Sequence, residues 1–186
     1  LNYNNKEYGA VVVICPNRSG VLKDIVAGFN SSQINILGSR IISLNNNDII
    51  DVFWVTSSIQ KAIVEKNEQQ RVIQNISASL NQEELENYQP LFPTKIKVEV
   101  EPRVTIDNQM SKLATTFQIL SGDRQGLLMD ILQIFHDQNM SVQSAKISTY
   151  GEKVFDIFQI TDLKNKKIKD IQTLKKVENQ LLKILS

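Results

Sequence analysis

The 186-residue sequence holds one cysteine, one histidine and one tryptophan, and its charges nearly cancel, with 21 Lys+Arg against 20 Asp+Glu. Each scarcity excludes something. A lone Cys15 forms no intrachain disulfide. A metal site wants several His or Cys at ligand spacing, and His136 has no such company. No stretch approaches the ~18 apolar residues of a membrane-spanning helix. A net charge of +1 leaves no strong field to draw in nucleic acid or an anionic membrane. There is no GxxxxGK[ST], no GxGxxG after a strand and no GxSxG. The expectation is a chain with no catalytic residue, no metal ligand, no cofactor, and neither nucleic acid nor membrane as partner. The cytoplasm is its natural compartment. The chain opens on Leu1 rather than methionine, which leads us to expect one part of a longer protein.

What is present is a core's worth of apolar residues, 41% of the chain, enough to bury roughly 70% of the unfolded surface. His136 falls late in a helical pattern, where it reads as a structural or solvent-exposed side chain. Cys15 ends the run Val11-Val12-Val13-Ile14-Cys15 and reads as a buried, inert thiol, since a reactive thiolate needs an electropositive pocket.

The chain repeats itself. Shifted by 106 residues, Asn17-Arg18-Ser19-Gly20-Val21-Leu22 falls on Asp123-Arg124-Gln125-Gly126-Leu127-Leu128. Over residues 17–44 the shift aligns seven identities, Arg18, Gly20, Leu22, Asp24, Ile25, Phe29 and Ile41, where chance gives roughly two. At a shift of 105, Asp51, Phe53 and Thr56 meet Asp156, Phe158 and Thr161. The slip falls at hairpin turns, Asn45-Asn46-Asn47-Asp48 in one copy and Tyr150-Gly151-Glu152 in the other.

Each copy carries the same succession of periods. Ala10–Cys15 and Ala114–Leu120 read as strands. Helices follow, with apolar stripes Val21, Leu22, Ile25, Val26, Phe29 and Leu127, Leu128, Ile131, Leu132, Phe135. Strand pairs come next at 35–44 with 49–57 and 141–149 with 153–161, then helices at 65–81 and 170–185. The lysines of Lys164–Lys176 read as the solvated face of the last helix. The order β-α-β-β-α-(β) is the ferredoxin-like arrangement. The expected class is α+β, with two ferredoxin-like βαββαβ domains in tandem and antiparallel sheets carrying helices on one face. The domains are expected at 8–82 and 113–186, with a linker at 83–112. Lys95–Glu101 and Arg103–Asp107 in that linker read as two strands, one for each sheet's open edge.

Strand, [DN]RxGLL, helix and hairpin together resemble the ACT domain, a small amino-acid-sensing module. Four further segments of the second copy sharpen this: Val104–Ser111, Gly122–Leu128, Ala145–Glu152 and Asp156–Asp162. With Asn35-Ile36, Ser39-Arg40-Ile41 and Asp51-Val52-Phe53-Trp54-Val55 in the first, they are similar to the C-terminal tandem ACT region of bifunctional PII uridylyltransferase/uridylyl-removing enzymes. The resemblance spans about 8–186. Two places depart from it: Ser19 and Gln125 stand where the family has proline, and Asn17 where it has aspartate. The resemblance implies catalytic domains outside this chain that need Mg or another divalent metal, an indirect link to PII, and ACT–ACT pairing within the chain or in a homodimer. It implies glutamine as the amino-acid ligand.

Residue chemistry suits that ligand. A helix N-terminus favours a carboxylate, and glycine lets backbone approach it. Asn17 and Asp123 either accept from the ammonium or cap the helix. Arg18 and Arg124 either steer the carboxylate or lie on the surface. The candidate ligand-binding residues are Asn17, Arg18, Ser19, Gly20, Val21 and Leu22 in one loop. Asp123, Arg124, Gln125, Gly126, Leu127 and Leu128 are their counterparts in the other. The resemblance, which places ligands where two domains meet, adds Asn35, Ile36, Ser141 and Val142. Two rival readings stand beside this one. A stand-alone tandem-ACT regulator like the glycine-cleavage-system repressor has a similar layout. An RNA-binding sheet would use Phe53, Trp54, Phe155 and Phe158, although no basic-Gly-aromatic motif accompanies them.

Overall fold

Alternation of side chains along the first strand, β1 (Gly9–Pro16), explains its place at once. Val11, Val13 and Cys15 face inward, while Val12 and Ile14 stand 57% and 65% exposed on the other face. The strand is therefore half of a one-sided sheet. The computed structural model describes residues 8–43, 48–57, 62–63, 65–83, 100–124 and 126–185. In chain order, β1 is followed by α1 (Val21–Ser31), β2 (Ile34–Ser43), β3 (Asp48–Ser57) and α2 (Lys66–Leu80). Then come β4 (Arg103–Asp107), β5 (Thr115–Gly122), α3 (Leu127–Asp137), β6 (Met140–Tyr150), β7 (Lys153–Asp162) and α4 (Ile171–Leu185).

The fold is mixed α+β, and each repeat follows the β-α-β-β-α order. The stripes on α1 and α3 are buried as their spacing requires, with Ile25, Phe29, Ile131 and Phe135 almost wholly inside. Each repeat sets a helix phenylalanine edge-on to a strand phenylalanine. Phe29 meets Phe53 at 4.9 Å between ring centroids, and Phe135 meets Phe158 at 5.4 Å. Both stacks join one hydrophobic cluster that runs through the molecule.

The two sheets that the repeat implies are joined edge to edge. Among the described residues seven strands run β1-β3-β2-β6-β7-β5-β4, each paired antiparallel with its neighbours. The seam is β2 against β6, with Gly38 opposite Ser148, Ser39 opposite Ile147 and Arg40 opposite Lys146. Arg40 and Lys146 are themselves 106 residues apart. Antiparallel pairing of equivalent strands at an equivalent residue makes a local twofold through this point. The backbone repeats as the sequence does. Left-handed residues recur at Gly20 and Gly126, then at Gln33 and Asn139, and the same one-residue irregularity falls at Leu37 in β2 and Gln143 in β6.

Several expectations change at the edges. Arg103–Asp107 does form a strand, pairing with β5. Of Lys95–Glu101, residues 95–99 lie outside the described residues, and Val100 and Glu101 are not in a strand. Asp48 is not in a turn but begins β3 opposite Pro16; residues 44–47 lie outside the described residues. The Lys164–Lys176 run is helical only from Ile171, because Asp162 folds the preceding segment into a turn. Its carboxylate accepts from the backbone N–H of Lys164 and Lys166 at 2.9 and 2.8 Å. Ile73 and Ile171, apolar in the helical pattern, are exposed.

Gly28 sets the approach of α1 to α2. A Cβ there would lie 2.6 Å from Ile76 Cα and 2.8 Å from its amide nitrogen. The equivalent position in α3 is Ile134, a side chain packed on the core. Gly28→Ala forces α1 and α2 apart at their closest point. It is expected to lower stability by about 1–3 kcal/mol, read as a lower urea midpoint at unchanged slope.

Candidate ligand-binding site

The turn after β1 ends on Gly20 at φ 80°, a left-handed conformation that an L side chain resists. Gly126 repeats it at φ 73° before α3. Val21 N–H donates to Arg18 O, and Leu127 N–H to Arg124 O, both at 3.2 Å. Glycine holds the N-cap position of both helices, so the cap residue itself brings no side-chain oxygen to the first turn. Asn17 and Asp123 stand three residues earlier.

A shallow, solvent-open cleft lies where the first loop meets the second repeat. The first repeat contributes Arg18, Gly20, Val21, Leu22 and Lys23. The second contributes Leu132, Phe135 and His136 from the end of α3, and Met140 and Val142 from the start of β6. Five of the residues chosen from sequence thus come together: Arg18, Gly20, Val21, Leu22 and Val142. Asn17 and Ser19 belong to the same loop without lining the cleft, and Ser141 is buried beside it, accepting from Gln143 Nε2 at 3.1 Å. The local twofold carries Gly20, Val21 and Val142 onto Gly126, Leu127 and Ile36. Asp123, Arg124, Gly126, Leu127, Leu128, Asn35 and Ile36 are therefore its second half and do not line this cleft; Gln125 lies outside the described residues.

Lys23, Leu132, Phe135, His136 and Met140 were not chosen from sequence. The repeat marks both loops, but it does not say which helix end a loop will face. That follows only from the β2–β6 seam. His136 is exposed, as its pattern suggested, but it stands against Gly20 of the other repeat.

The repeated arginine has a role that neither sequence reading named. Arg18 Nη1 pairs with Asp24 Oδ2 at 2.7 Å, and Nη2 donates to Leu80 O at 2.9 Å. Arg124 pairs with Asp130 at 2.5 Å and donates to Ile184 O at 3.2 Å. In each repeat a cation joins the first turn of one helix to the last carbonyls of the other, where the helix dipole favours positive charge.

A buried aspartate repeats as well. Asp51 and Asp156 sit on β3 and β7, facing inward, 0% and 2% exposed. Burial pushes both carboxyls up to about 7, and Asp123 raises Asp156 further while the Ser148 N–H holds it back. Neither oxygen of Asp51 has a hydrogen-bond partner. Burial likewise raises the thiol of Cys15, with Asp51 adding to it, so the half-buried cysteine stays protonated and unreactive. Phe53 and Phe158, offered as base-stacking residues, are wholly inside the core; Trp54 and Phe155 remain on the open face. Among the described residues no three His, Cys, Asp or Glu are grouped to hold a metal ion, and no helix is long and apolar enough to cross a membrane.

Comparison with known proteins follows this geometry. Residues 110–184 match the ACR family N-terminal ACT domain, so the second repeat belongs to the ACT domain family. Over almost its full length the chain is similar to bifunctional uridylyltransferase/uridylyl-removing enzymes. That of Pseudomonas syringae pv. syringae is 32% identical over 185 residues, 95% of this chain, and that of Stutzerimonas stutzeri 30% over 179 residues, 94% of it. The chain spans about one fifth of the length of these relatives, 20% in both. A solved structure of an unknown protein from Galdieria sulphuraria aligns over 92% of this chain and 91% of its own, at 14% identity and a TM-score of 0.30. A candidate glycine cleavage system transcriptional repressor aligns over 94% and 90%, at 12% and 0.33. Likeness of that degree adds nothing to the assignment.

The raised carboxyls make stability pH-dependent. An aspartate near 3.9 when unfolded and about 7 when folded favours the native state below pH 4 and loses that contribution as pH rises to 7. The melting temperature is expected to fall from pH 5 to pH 8. Asp51→Asn is expected to melt higher than wild type at pH 8 and close to it at pH 5. Equal pH slopes for the two proteins in thermal scans would contradict this account.

Proposed function

We propose that this chain is a tandem ACT regulatory region that binds an amino acid, glutamine, and controls the addition and removal of uridylyl groups on PII. Catalytic domains elsewhere in the parent protein would perform that chemistry with their own divalent metal, in the cytoplasm. The observation that carries the reading is the cleft itself, because both repeats build it. A ligand there touches the N-terminus of α1 on one side and α3 with β6 on the other. Binding therefore favours one arrangement of the repeats over another, and that preference is the free energy available for control. The carboxylate suits the first-turn N–H groups beyond Gly20, with Arg18, Val21 and Leu22 around it and Val142 opposite, while Asn17 and Ser19 belong to the same loop without lining the cleft. Ser141 supports the β6 side. Asp123, Arg124, Gly126, Leu127 and Leu128, with Asn35 and Ile36, form the quasi-equivalent place across the twofold. The similarity to uridylyltransferase/uridylyl-removing enzymes over 95% of the chain supports the link to uridylyl transfer and removal.

A thermal-shift series with glutamine, glutamate and glycine tests this. Glutamine at a hundredfold excess over its Kd adds about 2.7 kcal/mol, and at about 2–4 °C per kcal/mol that is a rise of several degrees. Val142→Trp, which fills the cleft, is expected to fold and to lose the shift. A folded wild-type chain that ignores glutamine would defeat the proposal.

A further inference from the structure

The two quasi-equivalent places differ at one position. From the second repeat the cleft receives Leu132, Phe135, Met140 and Val142, which offer no strong hydrogen-bonding side chain, and His136, which does. A Cβ built on Gly20 would lie 3.2 Å from His136 Nδ1 and 3.4 Å from Cε1, so the imidazole rests against the N-cap of α1. The twofold counterpart of His136 is Asn30, and a Cβ on Gly126 would meet nothing within 4 Å. An imidazole thus closes over the first loop, whereas among the described residues no atom lies within 4 Å of a Cβ built on Gly126.

The surroundings of the ring favour an anion. Arg18 and Lys23 line the cleft from the start of α1; Arg18 pairs with Asp24, and among the described residues the Lys23 ammonium has no ion-pair partner. On α3 itself the neighbouring Asp137 accepts from Gln133 Nε2 at 2.6 Å. The start of β6 brings Met140 and Val142 and no charge. The α1 N-terminus adds its own partial positive charge.

We propose that His136 is a ligand-contacting, specificity-determining residue, donating a ring N–H to the carboxylate of an amino acid held at the N-terminus of α1. It is the second repeat's polar handle on the ligand, and it makes the first-loop cleft the tighter of the two places. This rests on the reading that the cleft takes an amino acid.

Calorimetry of the whole chain with glutamine tests it. His136→Ala is expected to lose about tenfold in affinity, and His136→Asn, which keeps a side-chain N–H donor, to recover part of that loss. The exposed side chain is not needed for folding, so the ligand-free melting temperature of both variants is expected to stay near that of wild type. Unchanged affinity in His136→Ala would overturn the role of His136 while leaving glutamine binding intact. No binding by a folded wild-type chain would remove the amino-acid reading and this inference together.

Discussion

Backbone hydrogen bonding between β2 and β6 is the interaction on which the rest of the molecule depends. An edge strand leaves a row of N–H and C=O groups without partners, and here each repeat satisfies the other's row. Because Arg40 meets its own repeat equivalent, Lys146, the joint is a local twofold rather than an arbitrary contact. That operation turns two small sheets into one of seven strands and brings the two first helices, α1 and α3, into contact. It also carries the loop after β1 to the end of α3. Without the seam there is no cleft, only two exposed turns.

Around the cleft, the repeat spends its identical residues mostly on holding the fold. Arg18 and Arg124 tie helix starts to helix ends, Phe29 and Phe135 fill the core, and Asp24 and Asp130 answer the arginines. The glycines do a different job, placing a helix N-terminus where no side chain of the cap residue covers it. The residues in which the repeats differ decide how the two places differ. His136 against Asn30, and Gly28 against Ile134, break the twofold at the ligand side and at the helix pair. The buried Asp51 and Asp156 remain a cost at neutral pH that the surrounding core must offset.

The elements themselves were legible because each is decided locally. The apolar run Val11–Cys15 marks a strand and the helical stripe from Val21 to Phe29 reports burial on one face, whatever lies opposite; which face of β1 is buried was not in the run. The helices expected at 65–81 and 170–185 run Lys66–Leu80 and Ile171–Leu185. Boundaries failed where side chains compete with the pattern. Asp162 draws two backbone N–H groups into a turn within a run that reads as helix, and strand pairing takes Asp48 out of its hairpin turn. Of the cleft, sequence reached the loop and Val142, and missed Lys23, Leu132, Phe135, His136 and Met140.

By itself, the sequence determined that there are two copies of a βαββα unit, which face of α1 and α3 is buried, and where each helix begins. Those properties follow from the order of neighbouring side chains along the chain. Only the tertiary structure decided that the two sheets are one, that the repeated arginines serve as helix ties, and that His136 stands over Gly20. Each of these joins residues scores of positions apart, through hydrogen bonds that any strand edge or helix end could have offered. Which edge was taken depends on the whole surface, not on any local run of residues.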